Sequence, residues 1–357
     1  MAMLADTADA VIGVDTHTDT HTACLLDRLG RQLAVITIPA DHGGCRMLLA
    51  WAQRNAPGPR LAWSVEGTRS HGLGLTRYLH AHGQLVAEAG RPARASRRPG
   101  GKSDPADAAR AARDALSAQR LAQPRSDGSR EALRILLTAR AQATTARTAA
   151  VNTLKALILG APDDLRRQLR GLSTPRQASR CRSLRVHASQ PIAERVLRAE
   201  LRRLATHIGG WDKELRANKA QLRQLVAQAM PVLLEQPGVG PMSAAQLLVS
   251  WSHKGRCRSE AAFAALAGVS PLEASSGRIT RHRLNRFGDR QLNRALHVII
   301  NWRMLHHTKT QDYTTQRRAG QKTDPRDPPL PQALRSPATV PAHGDSRNHL
   351  TTHRSVG

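Results

Sequence analysis

The sequence contains few aromatic residues and few cysteines. Phe, Trp and Tyr together make up only 3% of the 357 residues, so a hydrophobic core has to be built from Ala, Leu and Val. The four cysteines, Cys24, Cys45, Cys181 and Cys257, form no CxxC pair, which argues against a zinc site or a disulfide framework. No apolar run reaches the roughly 18 residues of a membrane span, and no signal peptide is apparent. A reducing cytoplasm is the expected location.

Acidic residues are also scarce. The chain has 27 Asp and Glu against 54 Lys and Arg, a formal net charge of +27. The excess is uneven: residues 1–90 contain seven Arg and eight acids, so they carry about −1 and the remainder about +28. This split predicts a near-neutral first domain followed by a region that binds a polyanion, in the first place a nucleic acid. A GC-rich genome would explain the Arg content but not the split.

The first hundred residues alternate strand and helix patterns. Apolar, β-branched runs predict five strands, namely "AVIGVDT", "TACLLD", "QLAVITI", "RLAWSVEG" and "QLVAEAG". Short links between the first three predict an antiparallel meander. Helices are predicted at "HGGCRMLLAWAQR" and "HGLGLTRYLHAHG", which gives the order βββαβαβ and a mixed sheet with helices on its faces. A further helix, "DPADAARAARDAL", is expected to have Asp104 as its cap and Pro105 in its first turn.

From about Arg130 the sequence is nearly all helical. One long helix is predicted over Glu131–Leu159, followed by a polar, Arg-rich break. Large apolar residues then recur from Leu197 to Leu225 at heptad spacing, with Asn218 as one polar member. This pattern fits either an intermolecular coiled coil or a long amphipathic helix packed on its own domain. The Gly209-Gly210 pair inside the repeat favours the second alternative, or a kink.

Four domains are expected. They are an α/β domain at residues 1–125, a helical linker and coiled-coil region at 126–230, a separate C-terminal domain at 231–312, and a tail at 313–357. The tail is expected to be disordered because it is rich in Pro, polar residues and His and lacks periodicity. "PGVGP" in the C-terminal domain resembles a helix-hairpin-helix element, in which Gly238 and Gly240 would let backbone N–H groups approach a phosphate. An ordinary helix–helix turn is the alternative.

Four acids stand where a metal site forms in an α/β sheet. Asp15 closes the first strand, Glu66 closes the fourth, and Asp104 and Asp107 share one face of the following helix. Strand ends meet at one edge of an open sheet, where gathered acids would repel one another unless a cation such as Mg²⁺ neutralised them. Two such ions can clamp the attacking and leaving oxygens of a phosphodiester. Each acid also has a local alternative, such as a helix cap for Asp104.

The segment "DTHTDTH" favours a rival site. Asp15, His17, Asp19 and His21 alternate, so in an extended strand they would point to one face and could bind a transition metal. A solvated strand edge is the simpler alternative, with His17 or Asp19 lying beside the metal site.

Basic residues flank both groups of candidate residues. Arg94, Arg97, Arg98 and Lys102 precede the paired aspartates, and Arg278, Arg281 and Arg283 follow Ser275, Ser276 and Gly277. A serine beside a glycine is exposed, and dense Arg could bind a phosphate and stabilise its attacking oxygen. Composition alone favours a basic loop that contacts DNA.

Together these motifs resemble a transposase of the insertion-sequence 110 family, its 1111 subgroup included. The similarity runs from about Val11 to Tyr313. "KSDPADA" is the most specific match, and "GVDTHTDTHTACLLD", "EGTRSHG", "QPGVGPMSA" and "FAALAGVSPLEASSGRITRHRLNRFGDRQLNRAL" resemble other family segments. The resemblance implies a RuvC-like, RNase H-type domain with a DEDD tetrad of Asp15, Glu66, Asp104 and Asp107 that holds Mg²⁺.

The resemblance also implies a serine nucleophile and an RNA partner. Ser276, with Ser275 as the neighbouring alternative, would attack DNA and form a covalent phosphoserine. A homo-oligomer, dimer or tetramer, would hold a structured guide RNA that pairs with donor and target DNA. The sequence departs from the family after "RRAGQKT", where it becomes Pro-rich instead of continuing into a helix. A frameshifted or decayed C-terminus is the hypothesis for this departure.

The expected function is that of a DNA transposase or recombinase of an insertion sequence. One alternative is a metal-dependent, structure-specific nuclease such as a junction resolvase, which would use the four acids and a water without a serine. The other is a non-catalytic nucleic-acid-binding relative.

Overall fold

A computed structural model describes residues 4–90, 103–125, 127–275, 281–283 and 285–320. The chain divides into two compact units. The first extends to Asp127 and includes Ser252–Arg256, and the second comprises Gly128–Trp251 and the residues from Cys257 onward. Several predicted site residues lie outside the described residues, namely Arg94, Arg97, Arg98, Lys102, Ser276 and Arg278. The predicted tail beyond Gly320 lies outside them as well.

A five-stranded mixed sheet forms the centre of the first unit. Its strands are β1 (Ala10–Thr16), β2 (Thr20–Asp27), β3 (Gln32–Pro39), β4 (Leu61–Val65) and β5 (Leu85–Glu88), in the spatial order β3-β2-β1-β4-β5. The first three form an antiparallel meander, and β4 and β5 run parallel to β1. The predicted strands and the mixed sheet are therefore confirmed. β1 is central and buried along its whole length.

Helices cover both faces of this sheet. They are α1 (Leu4–Thr7), α2 (His42–Asn55), α3 (Leu73–Ala81) and α4 (Asp104–Ser117). Residues of α2 and α3, such as Leu48 and Leu79, pack with Ile12 and Trp63 in one buried cluster. Ala108 and Ala112 of α4 belong to the cluster on the opposite face, with Val11 and Leu26. α4 shares this sheet face with the short α1, whose Leu4 lies in the same cluster, and packs on the sheet through small side chains.

Small residues let α4 approach β1 closely. A Cβ added at Gly13 would lie 1.9 Å from the Ala108 carbonyl oxygen and 2.7 Å from the Ala112 nitrogen. No side chain fits in that space, so the glycine is required by the close approach of the helix. Gly13 lies two residues before Asp15 and therefore on the same face of β1. The contact thereby fixes the start of α4 near the end of β1.

The cap of α4 differs from the prediction by one residue. Ser103 is the N-cap, with an extended backbone at φ −138° and ψ 137°, and Asp104 is the first helical residue. Pro105 follows as the second residue of α4, where a missing N–H costs no helical hydrogen bond. Asp104 and Asp107 both lie in the first turn, where the positive end of the helix dipole stabilises carboxylates.

The second unit is mostly helical. Its helices are α5 (Ser129–Leu159), α6 (Asp163–Arg170), α7 (Thr174–Arg182), α8 (Ile192–Ala229), α9 (Val232–Glu235), α10 (Pro241–Trp251), α11 (Glu260–Leu266), α12 (Arg290–His306) and α13 (Thr308–Gly320), with a short ribbon of β6 (Leu272–Glu273) and β7 (His282–Arg283). α5 confirms the predicted long helix. α6 and α7 occupy the stretch predicted as a polar break.

The sequence predicted no regular structure after Tyr313, and this prediction is wrong for the residues up to Gly320. α13 continues to that residue and is tied to the end of α12. The Gln311 side chain donates to the Met304 and Leu305 carbonyl oxygens at 3.2 and 3.1 Å. These hydrogen bonds satisfy carbonyls at the end of α12, which a search for apolar periodicity does not detect.

The heptad positions of α8 are covered within the same chain. Leu201, Leu204 and Ile208 share a buried cluster with residues of α5 and α7. Asn218 donates from Nδ2 to the Leu136 carbonyl oxygen of α5 at 2.9 Å, and Arg140 donates to the Leu215 carbonyl oxygen at 2.9 Å. α8 is therefore the long amphipathic helix that packs on its own domain, and Gly209 and Gly210 lie inside one continuous helix.

The expected boundary between residues 230 and 231 does not separate two cores. Ala244, Ala245 and Val249 of α10 are buried together with Leu133 of α5 and Leu222 and Val226 of α8. Apolar residues near the start of α5 and near the end of α8 are shielded from water by α10. The helical region and the predicted C-terminal domain accordingly belong to one compact unit.

Among the described residues, no helix combines the length and apolarity that a membrane crossing requires.

Candidate metal centre

Two of the predicted acids lie at the ends of adjacent parallel strands. Asp15 is the second-last residue of β1, and its side chain is only 8% exposed. Glu66 directly follows β4, and its N–H donates to the Val14 carbonyl oxygen at 3.0 Å. The Thr16 hydroxyl donates to the Glu66 carbonyl oxygen at 2.9 Å. These bonds fix the backbone of Glu66 beside the end of β1, as the strand-end argument predicts.

His17 links the strand acid to the helix acid. Its Nε2 atom lies 3.3 Å from Oδ2 of Asp15 and 3.4 Å from Oδ1 of Asp104. One ligand atom from each of these three residues lies within 4.8 Å of the others. The structure therefore brings Asp15 and Asp104 together, although they are far apart in the sequence.

Arg110 links the other two predicted acids. Its guanidinium lies 3.4 Å from Asp107 and 4.0 Å from Glu66, and it also lies 3.4 Å from Asp114. The four acids thus form two pairs, each gathered around a basic side chain. Arg110 was not predicted as a site residue, although its spacing of three and four from Asp107 and Asp114 on a helix was the available signal.

The rival site along "DTHTDTH" is wrong because the chain turns within it. The His17 N–H donates to the Thr20 carbonyl oxygen at 3.0 Å in the turn between β1 and β2. Across those strands Asp15 pairs with Thr22 and Thr16 pairs with His21, so His21 lies on the opposite face from Asp15. Asp19 is exposed. Burial lowers the pKa of His21, partly opposed by its hydrogen bond to the Thr20 carbonyl, which favours a neutral imidazole.

The donor set fits a divalent cation. Carboxylate oxygens are the ligands that Mg²⁺ and Mn²⁺ prefer, whereas an imidazole nitrogen is favoured more by transition metals. Asp15 offers a carboxylate in a buried position, and Asp104 offers one from the partly exposed start of α4. A cation bound there would be open to a ligand on the exposed side.

The predicted serine region is described only in part. β6 and β7 pair Leu272 with Arg283 and Glu273 with His282. The Arg281 N–H donates to the Ser275 hydroxyl oxygen at 3.3 Å. Arg281 and Arg283 are exposed, and their contact with a nucleic acid stays a prediction. Ser276 itself lies outside the described residues.

The glycines of "PGVGP" have different surroundings. Gly238 has φ +76°, and a Cβ there would lie 2.9 Å from the Trp302 ring and 3.0 Å from the Ile299 carbonyl oxygen of α12. Arg303 of α12 donates to the Pro237 carbonyl oxygen at 2.7 Å. A left-handed backbone and packing against α12 explain Gly238, whereas a Cβ at Gly240 would meet nothing within 4 Å. Their contact with phosphate stays a prediction.

The first unit fits a DNA-processing enzyme with an RNase H-like fold of the DEDD type. It has a mixed sheet with an antiparallel meander, acids at the ends of two parallel strands, and a helix that adds two more acids. This combination defines the class from the fold and the geometry of the side chains.

Comparison with protein families gives two matches. A transposase model of the DEDD type from IS110 elements matches residues 12–161, and a model described as "Transposase IS116/IS110/IS902 family" matches residues 230–315. The chain belongs to the IS110 family of transposases. A search of curated proteins gives no match.

Proposed function

We propose that this protein cuts and rejoins the DNA of an insertion sequence through metal-bound acids and a serine nucleophile. The observation that carries the proposal is the convergence of Asp15 and Asp104 on the same nitrogen atom of His17. Two carboxylates held together in this way need a positive charge between them. A divalent cation supplies more of that charge than an imidazole does.

Asp15, Glu66, Asp104 and Asp107 are the residues that would hold Mg²⁺. When bound, Mg²⁺ would supply Lewis-acid stabilisation of the phosphodiester oxygens at the point of cleavage. The chain contributes rigidity: Gly13 fixes α4 against β1, and the Thr16 hydroxyl holds the Glu66 backbone. Arg110 lies against Glu66 and Asp107 and would reduce their mutual repulsion while no cation is bound.

Ser276 is the proposed nucleophile. Attack by its Oγ on phosphorus would form a phosphoserine ester and break the bond between phosphorus and a sugar oxygen. The serine hydroxyl loses a proton, and the departing sugar oxygen gains one and leaves as a hydroxyl. The neighbouring Ser275 is the alternative nucleophile, and its hydrogen bond from the Arg281 N–H at 3.3 Å supports a structural role for it and hence the choice of Ser276. Arg278, Arg281 and Arg283 would hold the phosphate.

The proposed partners are donor DNA, target DNA and a structured guide RNA, bound by a homo-oligomer. The net charge of +27 supports a large polyanionic partner. The family resemblance supports the guide RNA, because it implies an RNA that pairs with donor and target DNA.

Substitution of the serine tests the proposed nucleophile. Ser276→Ala should abolish strand exchange and leave the binding of DNA and RNA unchanged, because only the attacking oxygen is removed. Ser275→Ala is the matched control and should retain strand exchange. A Ser276→Ala protein with full strand exchange would refute the role of this serine.

A metal-dependent nuclease that uses water is the second candidate. It is favoured by the acidic cluster itself, since Asp15, His17 and Asp104 can hold a metal ion without any serine. Denaturing electrophoresis of reactions with labelled DNA separates the two functions. A covalent protein–DNA adduct supports the serine mechanism, whereas cut DNA without an adduct supports the nuclease.

A further inference from the structure

A cavity with basic residues on its lining lies among α5, α6 and α7 in the second unit. Its volume is about 420 Å³, within the range of cavities that bind small organic groups. Lys155 of α5 and Arg166 and Arg170 of α6 line it, and Ile158 and Leu172 add apolar surface. It contains none of the acids proposed to hold the metal.

Gln177, one of the residues that line this cavity, has an unsatisfied acceptor. The residue is only 6% exposed and lines the cavity. Its Nε2 donates to the Leu169 carbonyl oxygen at 3.1 Å, and because a carbonyl can only accept, this bond fixes which way the amide points. Its Oε1 is buried and has no hydrogen-bond partner among the described residues. A buried acceptor in this state is rare and points to a ligand that brings an N–H or O–H group.

The basic side chains of the cavity indicate that the ligand also carries a negative charge. Arg166 is paired with Asp163 at 2.6 Å, whereas Lys155 and Arg170 have no ion pair within the part of the chain that the structure describes. The start of α7 adds a partial positive charge, and the side chain of its N-cap, Ser173, which also lines the cavity, makes no capping bond to a described residue. An anion is therefore expected beside the donor group.

We propose that this cavity binds one unpaired nucleotide of a single-stranded nucleic acid. The phosphate lies against Lys155, Arg170 and the start of α7, and the base packs on Leu172. An N–H group of the base donates to Oε1 of Gln177, because every base carries such a donor on its exposed edge once it is unpaired. An inorganic anion would use the cations but neither the apolar surface nor Gln177. The inference rests on the proposed function, which supplies the nucleic-acid partner.

Removal of the two unpaired cations tests the phosphate contact. Binding of the full-length chain to single-stranded RNA and DNA oligonucleotides of one length and sequence is measured over a range of salt concentrations. Lys155→Ala/Arg170→Ala should weaken binding about tenfold at low salt and reduce the steepness of log affinity against log salt by about 0.7, the value for one phosphate of a single strand. The control carries Arg180→Ala on α7, an exposed residue that should have a smaller effect. A control as damaging as the double variant would overturn the proposal.

A second comparison tests the base contact. Gln177→Met keeps the length of the side chain and removes the acceptor, so it should weaken binding of the oligonucleotide by about fivefold. Binding of an abasic oligonucleotide of the same length should be unchanged by this substitution. Circular dichroism and thermal unfolding first establish that the variant is folded like the wild type. An equal loss with both probes in the folded variant would then overturn the base contact.

The result separates this inference from the proposed function. If the wild-type chain binds nucleic acid and the double variant binds it equally well, the cavity proposal fails and the proposed function stands. If the wild-type chain binds neither oligonucleotide nor duplex DNA, both fail. Tighter binding of RNA than DNA supports the cavity as a contact for the guide strand, and the reverse supports it as a contact for a displaced DNA strand.

Discussion

At the scale of single residues, His17 connects the two acids that carry the proposed metal site. Its Nε2 lies 3.3 Å from a carboxylate oxygen of Asp15 and 3.4 Å from one of Asp104. A side chain in that position either coordinates the cation or orients the carboxylates that do. In both cases its loss should affect metal affinity more than folding, because His17 lies in a turn and is partly exposed.

We expect His17→Gln to weaken divalent-metal binding by about 10- to 100-fold, the usual effect of removing a group that orients a metal ligand. Titration calorimetry with Mn²⁺ measures the affinity directly. Asp19→Asn is the control, because Asp19 lies in the same turn but is exposed and outside the cluster. Equal affinity in His17→Gln and the wild type would show that His17 is a bystander.

At the scale of elements, the contact between β1 and α4 holds the site together. Asp15 belongs to one element and Asp104 and Asp107 to the other, so their separation depends on how closely the two pack. At Gly13 an added Cβ would lie 1.9 Å from the Ala108 carbonyl oxygen of α4. The site is thus sensitive to a substitution that touches none of its acids.

Gly13→Val should destabilise the protein by about 1–3 kcal/mol or more, the cost of overpacking a filled core, and should weaken metal binding as α4 moves away from β1. Gly74→Ala is the control: Gly74 lies in α3 with nothing within 4 Å of its added Cβ, so the change should be neutral or slightly stabilising. Chemical denaturation and a metal titration measure the two effects. Full metal affinity in Gly13→Val would contradict the role of this contact.

The packing of α8 leads to another prediction at this scale. Leu201 is fully buried with residues of α5 and α7, so Leu201→Ala should lower the free energy of unfolding by about 2–5 kcal/mol. The loss should be the same at low and high protein concentration, because the contact lies within one chain. Val196→Ala, at a 57% exposed position of α8, should cost much less. A loss that depends on protein concentration would indicate an intermolecular seam instead.

The sequence was most informative where side chains alternate between core and solvent or form long apolar runs. β1 to β5 and the helices α2 to α5 were predicted in their observed order for this reason. α6 and α7 were missed because their stretch is dominated by Arg, and only a few apolar residues such as Leu165 and Leu169 anchor them. Their packing against α5 and α8 decides their structure, and a single sequence does not reveal that packing.

The four acids of the site could be predicted from the sequence, whereas the contacts that His17 and Arg110 make with them could not. Strand ends meet at one edge of the sheet, so Asp15 and Glu66 were expected beside the acids of α4. The roles of His17 and Arg110 depend on where a turn and a helix face direct their side chains, which the spacing of residues leaves open. Gln177 was not singled out at all, since its burial follows from how α6 and α7 pack.

At the scale of the whole molecule, the distribution of charge matches the two roles that we propose, metal binding by acids and nucleic-acid binding by cations. The first unit carries the acidic cluster, while most of the excess positive charge lies in the sequence from Gly128 onward. Cations that hold a nucleic-acid backbone and carboxylates that hold a metal are both required to cut a phosphodiester. The two kinds of group should therefore be separable by substitution, with binding and chemistry lost independently.

Cleavage by variants of the paired aspartates is the most direct test of the metal site. DNA binding and DNA cleavage are measured in Mg²⁺ with the cognate DNA and RNA for Asp104→Asn and Asp107→Asn. Asp114→Asn is the control, because Asp114 lies further along α4 and also contacts Arg110. We predict that both test variants bind with near wild-type affinity and do not cut, whereas the control cuts. Wild-type cleavage by Asp104→Asn or Asp107→Asn would contradict the proposal that these acids hold the catalytic metal.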